Sequence, residues 1–224
     1  MSDLGVDLRY GIPPFRFAMP PGWVQVAPTE ATKQDELKQA SAIFRRAGRP
    51  DLEAEYRAMM AQVSEGMRRT KVFAVYRQQD VPMEELLPLS ITASALSGTD
   101  GDNLDDWVAD AFRLRGAEFL NEEMKHIVRW VSEPRRPQGA APITGVGGRT
   151  ITYLIPVPGT GRSKALVFTS TIVIPEGEVI PEDSLRGIEL LSDAMISTFA
   201  WEKLVEEPVV LDGPTAAEST QSPS

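Results

Sequence analysis

Leu87-Pro88-Leu89-Ser90-Ile91-Thr92-Ala93-Ser94-Ala95-Leu96 places apolar side chains at 87, 89, 91, 93 and 95, and Pro88, Ser90, Thr92 and Ser94 between them. Side chains of a strand point alternately to opposite faces, so this pattern marks a sheet with one face more polar than the other. Working outward, Lys71 to Arg77 reads as a second strand on the N-terminal side. Downstream, the runs Glu123 to Glu133, Arg149 to Val157 and Lys164 to Ile174 are separated by loops rich in Gly and Pro. No long crossover lies between these three, so they are expected to form an antiparallel meander.

Helical periodicity surrounds the strands. From Ala31 to Ala47, Leu37, Ala40, Ile43, Phe44 and Ala47 recur at helical spacing, and Gly48 with Pro50 supplies the stop. A second helix is expected from Asp51 to Arg69, with Leu52, Tyr56, Met59, Met60, Val63 and Met67 on one face and charged residues opposite. The two read as a helical pair laid across the sheet, although a single bent helix would leave much the same pattern. Leu104 to Arg115 is a third helix, capped by Asn103, turning Leu104, Trp107, Val108, Ala111 and Leu114 to the core and ended by Gly116. Pro181 to Lys203 is a long fourth, with Leu185, Ile188, Leu191, Met195 and Phe199 in register. Near the start, Phe15 to Met19 and Trp23 to Val26 read as two extended runs around Pro20-Pro21-Gly22, a hairpin leading into the sheet. The fold class expected is α+β: an antiparallel sheet flanked by helices and closed by a long C-terminal helix.

Residues 1–204 of the 224 are expected to form one domain. Residues 205–224, with Glu206, Glu207, three prolines and a Ser/Thr/Ala ending, read as a disordered acidic tail, because such a composition buries too little apolar area to offset its ordering entropy. The net charge of −9 argues against nucleic-acid binding, which needs clustered Lys and Arg, and favours basic or hydrophobic protein partners. No run of apolar residues is long enough to cross a bilayer, and Asp3, Asp7 and Arg9 stand where a secretory signal needs a basic start and an apolar stretch, so a cytoplasmic location is expected. The chain has no cysteine and one histidine, which removes disulfides, thiolate metal sites and a histidine relay. No cofactor is expected.

Candidates for chemistry are few. His126 is expected in a strand beside Val128 and Trp130, where a partly exposed histidine without a catalytic role is the simpler reading. Asp100 to Asp106 clusters oxygen ligands, but Leu104 falls where an EF-hand loop needs its fifth ligand and Asp105 replaces the required glycine, so a solvated loop leading into a capped helix is preferred over a cation site. Gly145-Val146-Gly147-Gly148-Arg149 precedes a β-run, not a helix, and reads as a strand connection instead of a phosphate cradle. Carboxylate pairs at 84–85, 105–106 and 122–123 lie beside turns and helix starts. For binding, the residues singled out are Tyr56, Met59, Met60 and Met67, because methionine adapts to irregular apolar partners, although core packing is the simpler account of a stripe shared with Leu52 and Val63.

The run Phe15 to Val26, with Phe17-Ala18-Met19-Pro20-Pro21-Gly22-Trp23 at its centre, the Trp-containing helix Leu104 to Leu114, and the stretch from Lys164 through Trp201 together resemble the PsbP-like superfamily, including its LpqN-type actinobacterial proteins. The resemblance implies an α/β/α sandwich and a role in binding, since members are mostly non-enzymatic: Ran-binding proteins, photosystem assembly subunits, envelope lipoproteins and chaperones of secreted toxins. It implies here an intracellular protein-binding module, a chaperone or adaptor for a secretion or envelope system. The alternative is a small-molecule or lipid carrier whose pocket lies between the sheet and the methionine-bearing helix. An enzyme using Asp102, Asp105 or His126 is the third and least supported reading.

Overall fold

The computed structural model describes residues 10–98, 104–132, 146–175 and 179–202. In chain order these form β1 (Phe15–Arg16), β2 (Trp23–Val26), α1 (Glu30–Arg46), α2 (Pro50–Arg69), β3 (Val72–Gln78), β4 (Leu89–Ser97), α3 (Leu104–Arg115), β5 (Glu118–Phe119), β6 (Val128–Ser132), β7 (Val146–Pro156), β8 (Lys164–Pro175), α4 (Glu182–Ser197) and β9 (Ala200–Trp201). The main sheet has seven strands in the order β2-β3-β4-β8-β7-β6-β5, all antiparallel to their neighbours. The expected meander is present as β6, β7 and β8 side by side. β8 sits at the centre, pairing with β4 from Leu89↔Ile172 to Ser97↔Lys164 and with β7 on its other side.

The alternation in β4 is realised as written in the sequence. Leu89, Ile91, Ala93 and Ala95 are buried, and the register sets them on one face with Tyr76, Tyr153, Phe168 and Ile172. α4 covers this face with Leu185, Ile188, Met195 and Ile196, and Phe15, Phe17 and Phe199 pack edge-on or tilted around the Phe168 ring. On the opposite face, α3 lays Leu104 and Ala111 over Val128, Trp130, Leu154 and Ala165. The α1–α2 pair stands over the β2–β3 end of that same face. Between the two helical elements the half-buried Ser90, Thr92, Thr150, Thr152, Thr169 and Thr171 share it. The observed layering is therefore helix, sheet, helix, as the α+β expectation requires.

Several local expectations are corrected. The turn at Pro20 to Gly22 forms, with the Trp23 amide donating to the Pro20 carbonyl at 3.2 Å and Gly22 at φ +81°, but its two arms do not pair with each other. β2 joins β3, and β1 joins β9 in a separate two-stranded sheet, because Phe15 finds Phe168, Phe199 and Trp201 to pack on. α4 stops at Ser197 instead of reaching Lys203. The Ser197 and Thr198 hydroxyls donate to the carbonyls of Ala194 and Met195, Phe199 turns into the core, and Trp201 becomes strand. The strand expected from Glu123 begins only at Val128, since Asn121 Oδ1 accepts from the amides of Glu123 and Met124 and holds 121–126 in turns.

In α3, Trp107 and Leu114 are 49% and 68% exposed instead of core-facing, because the buried stripe is narrow and centred on Leu104, Val108 and Ala111. Val146, Gly147 and Gly148 belong to β7 and are not a connection; a Cβ at Gly148 would collide with the Ile172 carbonyl of β8, so the close strand approach calls for glycine there. The tail assigned to 205–224 lies outside the described residues, as do Asp100 to Asn103, Gly145 and the prolines at 134, 137 and 142.

Candidate functional site: a cleft between the helical pair and the sheet

The helical pair is built to be self-sufficient. α1 opens on Thr29, whose Oγ1 accepts the Thr32 amide at 3.2 Å, and closes at Gly48, which takes the left-handed φ of +65° before Pro50 starts α2. The two helices hold each other through Ser41, which donates to Glu53 at 2.7 Å, through the Arg45–Glu53 pair and through the Phe44–Tyr56 ring contact at 5.9 Å. α1 buries Leu37 and Ser41, whereas no residue of α2 is fully buried. The apolar stripe of Tyr56, Met60, Val63 and Met67 is thus only half covered.

What faces that stripe is a cavity of about 1000 Å³. Its floor comes from the sheet, with Val26 of β2, Val75 and Arg77 of β3 and Ser90 of β4. Its roof comes from Ala40 and Ile43 of α1 and Tyr56, Met60, Val63 and Met67 of α2, and the connection Ala27 to Thr29 closes one side. Among the described residues, one ion pair ties the helical pair to the sheet across this space: Arg77 Nη2 to Glu36 Oε1 at 2.8 Å.

The charges of the lining cancel locally. Arg77 pairs with Glu36, Arg68 with Glu65 at 2.7 Å, and Lys33 with Glu30 at 3.3 Å, so each acid that lines the cleft has its base beside it. Hydrogen bonds from Gln34 and Lys33 hold the Glu30 carboxyl below the usual range, and the Arg68 guanidinium does the same for Glu65, so both stay ionised at neutral pH. Partial burial, then the nearby Glu36 carboxylate, pushes the Tyr56 phenol up, which keeps it a neutral donor.

Of the residues singled out in sequence, Tyr56, Met60 and Met67 line the cleft; Met59 is half-buried on the same helix but does not. Sequence reasoning missed the floor. The signal available was the run Val75-Tyr76-Arg77, where the residues flanking the buried Tyr76 must share the other face. His126 lies exposed in the turn before β6, and so is not on the strand face of Val128 and Trp130. Asp105 pairs with Arg162 at 2.6 Å, and among the described residues no cluster of acids and histidine is placed to hold a metal.

A second polar cluster, also unforeseen, lies under α4. Arg129 contacts Asp193 at 2.7 Å, Glu118 at 2.9 Å and Glu189 at 3.6 Å, while Arg149 reaches Glu189 at 2.8 Å and Glu182 at 2.9 Å. The Tyr153 hydroxyl lies 2.7 Å from Asp193 and 2.8 Å from Ser192, which in turn meets Ser170 at 2.5 Å. No buried side-chain polar atom among the described residues lacks a partner. The cluster fastens α4 to β6, β7 and β8.

No family model and no curated protein matches this chain. Among solved structures, the chain is similar to the Saccharomyces cerevisiae Ran-binding protein Mog1p, with 17% identity, 57% of this chain and 78% of that chain covered, and a TM-score of 0.36. It is also similar to a crystal structure from Bacteroides thetaiotaomicron, with 9% identity, 84% of this chain covered and a TM-score of 0.36; the match spans 45% of that longer chain. At such TM-scores neither likeness bears on what this chain does. No described helix is long and apolar enough to cross a membrane.

Proposed function

We propose that this chain is a binding protein of PsbP-like architecture, not an enzyme, and that its partner is held in the cleft between the α1–α2 pair and the β2–β3 end of the sheet. The support is the half-covered stripe of α2 facing a cavity of about 1000 Å³, the upper end of the roughly 300–1000 Å³ typical of ligand sites. A helix that keeps Tyr56, Met60, Val63 and Met67 aligned toward a gap forgoes about 25 cal/mol for each Å² of apolar surface left wet, and a guest recovers it. The protein-partner version of this reading, a chaperone or adaptor, has an amphipathic helix entering the cleft. The carrier version, with a small molecule or lipid inside, is favoured by one feature of its own, the local cancellation of charge around the walls.

Native mass spectrometry and affinity capture of the full chain, set beside a cleft-filling Val63→Trp variant of unchanged circular dichroism, test the proposal. A bound species present on the unaltered chain and lost from the variant is the expected result. The same species retained by the variant places binding elsewhere and defeats the reading.

A further inference from the structure

We infer that the cleft takes an uncharged long-chain lipid, a hydrocarbon chain carrying at most hydroxyl or carbonyl groups. The inference rests on the cleft being the binding site. Three acids and three bases line it, and they pair off as Glu30 with Lys33, Glu36 with Arg77 and Glu65 with Arg68. No unmatched charge remains there to meet a phosphate, a carboxylate or an ammonium. An ionic head drawn down among the apolar walls would lose hydration with no unmatched countercharge there to receive it, which is unfavourable. The local balance contrasts with the chain as a whole, whose net charge of −9 would draw basic partners to its surface, yet offers them nothing inside this space.

The remaining lining suits such a guest. Val26, Val75, Val63 and Ile43 supply apolar wall, and Met60 and Met67 are unbranched side chains that adapt to a chain without fixed shape. Neutral hydroxyls of Tyr56 and Ser90 stand among them, and Ser64, whose proton goes to the Met60 carbonyl, keeps acceptor capacity, so an alcohol can be met without any ion being desolvated. Ile43, 63% exposed at the rim, extends the apolar surface outward to where a chain would enter. An amphipathic peptide helix, by contrast, brings charged flanks to a lining whose six charges are already matched.

The experiment uses Nile red, an uncharged polarity-sensitive dye, bound to the full chain and displaced in turn by hexadecan-1-ol, palmitate and hexadecyltrimethylammonium. The alcohol is expected to displace the dye at a concentration at least about tenfold below that of either ion of equal chain length. Charge-balance variants sharpen the test without touching the apolar wall. Glu36→Gln leaves Arg77 unmatched and is expected to shift preference toward palmitate, and Arg77→Gln leaves Glu36 unmatched and shifts it toward the cation. Palmitate or the cation displacing the dye from the unaltered chain as readily as the alcohol overturns the inference, while loss of that binding in Val63→Trp leaves the cleft reading standing. Dye bound equally well by Val63→Trp, or not bound at all, sinks both.

Discussion

α4, with 16 residues, buries Leu185, Ile188, Ser192, Met195 and Ile196 against one face of the sheet, whereas α2, with 20, buries none of its own against the other. Both helices carry an apolar stripe, so amphipathicity alone does not set how deeply a helix is buried. The difference lies in what holds each to the sheet. α4 meets a continuous apolar surface and is fastened by Arg129, Arg149 and Tyr153 from β6 and β7. The α1–α2 pair spends its contacts on itself and reaches the sheet through the Glu36–Arg77 pair and a few side chains at its edge. One layer is core, and the other is a cover over a space.

The contrast makes definite predictions. Phe168→Ala, at the centre of the α4 face, should cost the most, roughly 3–5 kcal/mol in denaturant unfolding; a loss comparable to that of an α2 substitution would break the comparison. Arg129→Ala should follow at about 2–3 kcal/mol, because it leaves Asp193 beneath α4 with the Tyr153 hydroxyl but no cation, while Glu189 keeps Arg149 and the partial exposure of Asp193 tempers the penalty. Alkaline pH should act on the same layer. Burial pushes the Tyr153 phenol up, reinforced by the Asp193 carboxylate, and burial does the same for Tyr76. A group whose folded pKa is raised stabilises the fold fully below its unfolded value of about 10, and that stability is lost as pH climbs above it. The tyrosinate absorbance of these two should therefore appear only as the chain unfolds, and their early titration would show the α4 face to be open.

On the other face the expected effects are small. Met60→Ala should cost below about 1 kcal/mol, less than the usual 2–5 for a buried methionine, since its side chain is already half wet. Arg77→Gln should lower global stability least, by about 0.5 kcal/mol, as befits a partly exposed ion pair. Hydrogen exchange sharpens that case: protection in α1 and α2 should fall while protection in α4 is unchanged. Equal loss in α4 would mean that the two layers open together.

The strand at 89–97, the bounds of α1 and α2 and the stripe on α2 were legible from residue order, because each depends on neighbours a few positions away: alternation by two, recurrence by three and four, a glycine stop. Tyr56, Met60 and Met67 were legible as a candidate surface for the same reason. Which strand would accept β1, where α4 would give way to Trp201, whether Trp107 would be covered and what would lie beneath the methionines were not. Each of those turns on a choice among distant partners of similar chemistry. Phe15 satisfies a hairpin with its near neighbours as well as it satisfies Phe199, and α2 presents the same stripe to a close sheet as to a distant one. Periodicity along the chain specifies which side of an element is apolar; only the packing of all the elements together specifies how far away the next surface stands, and it is that distance that made the cleft.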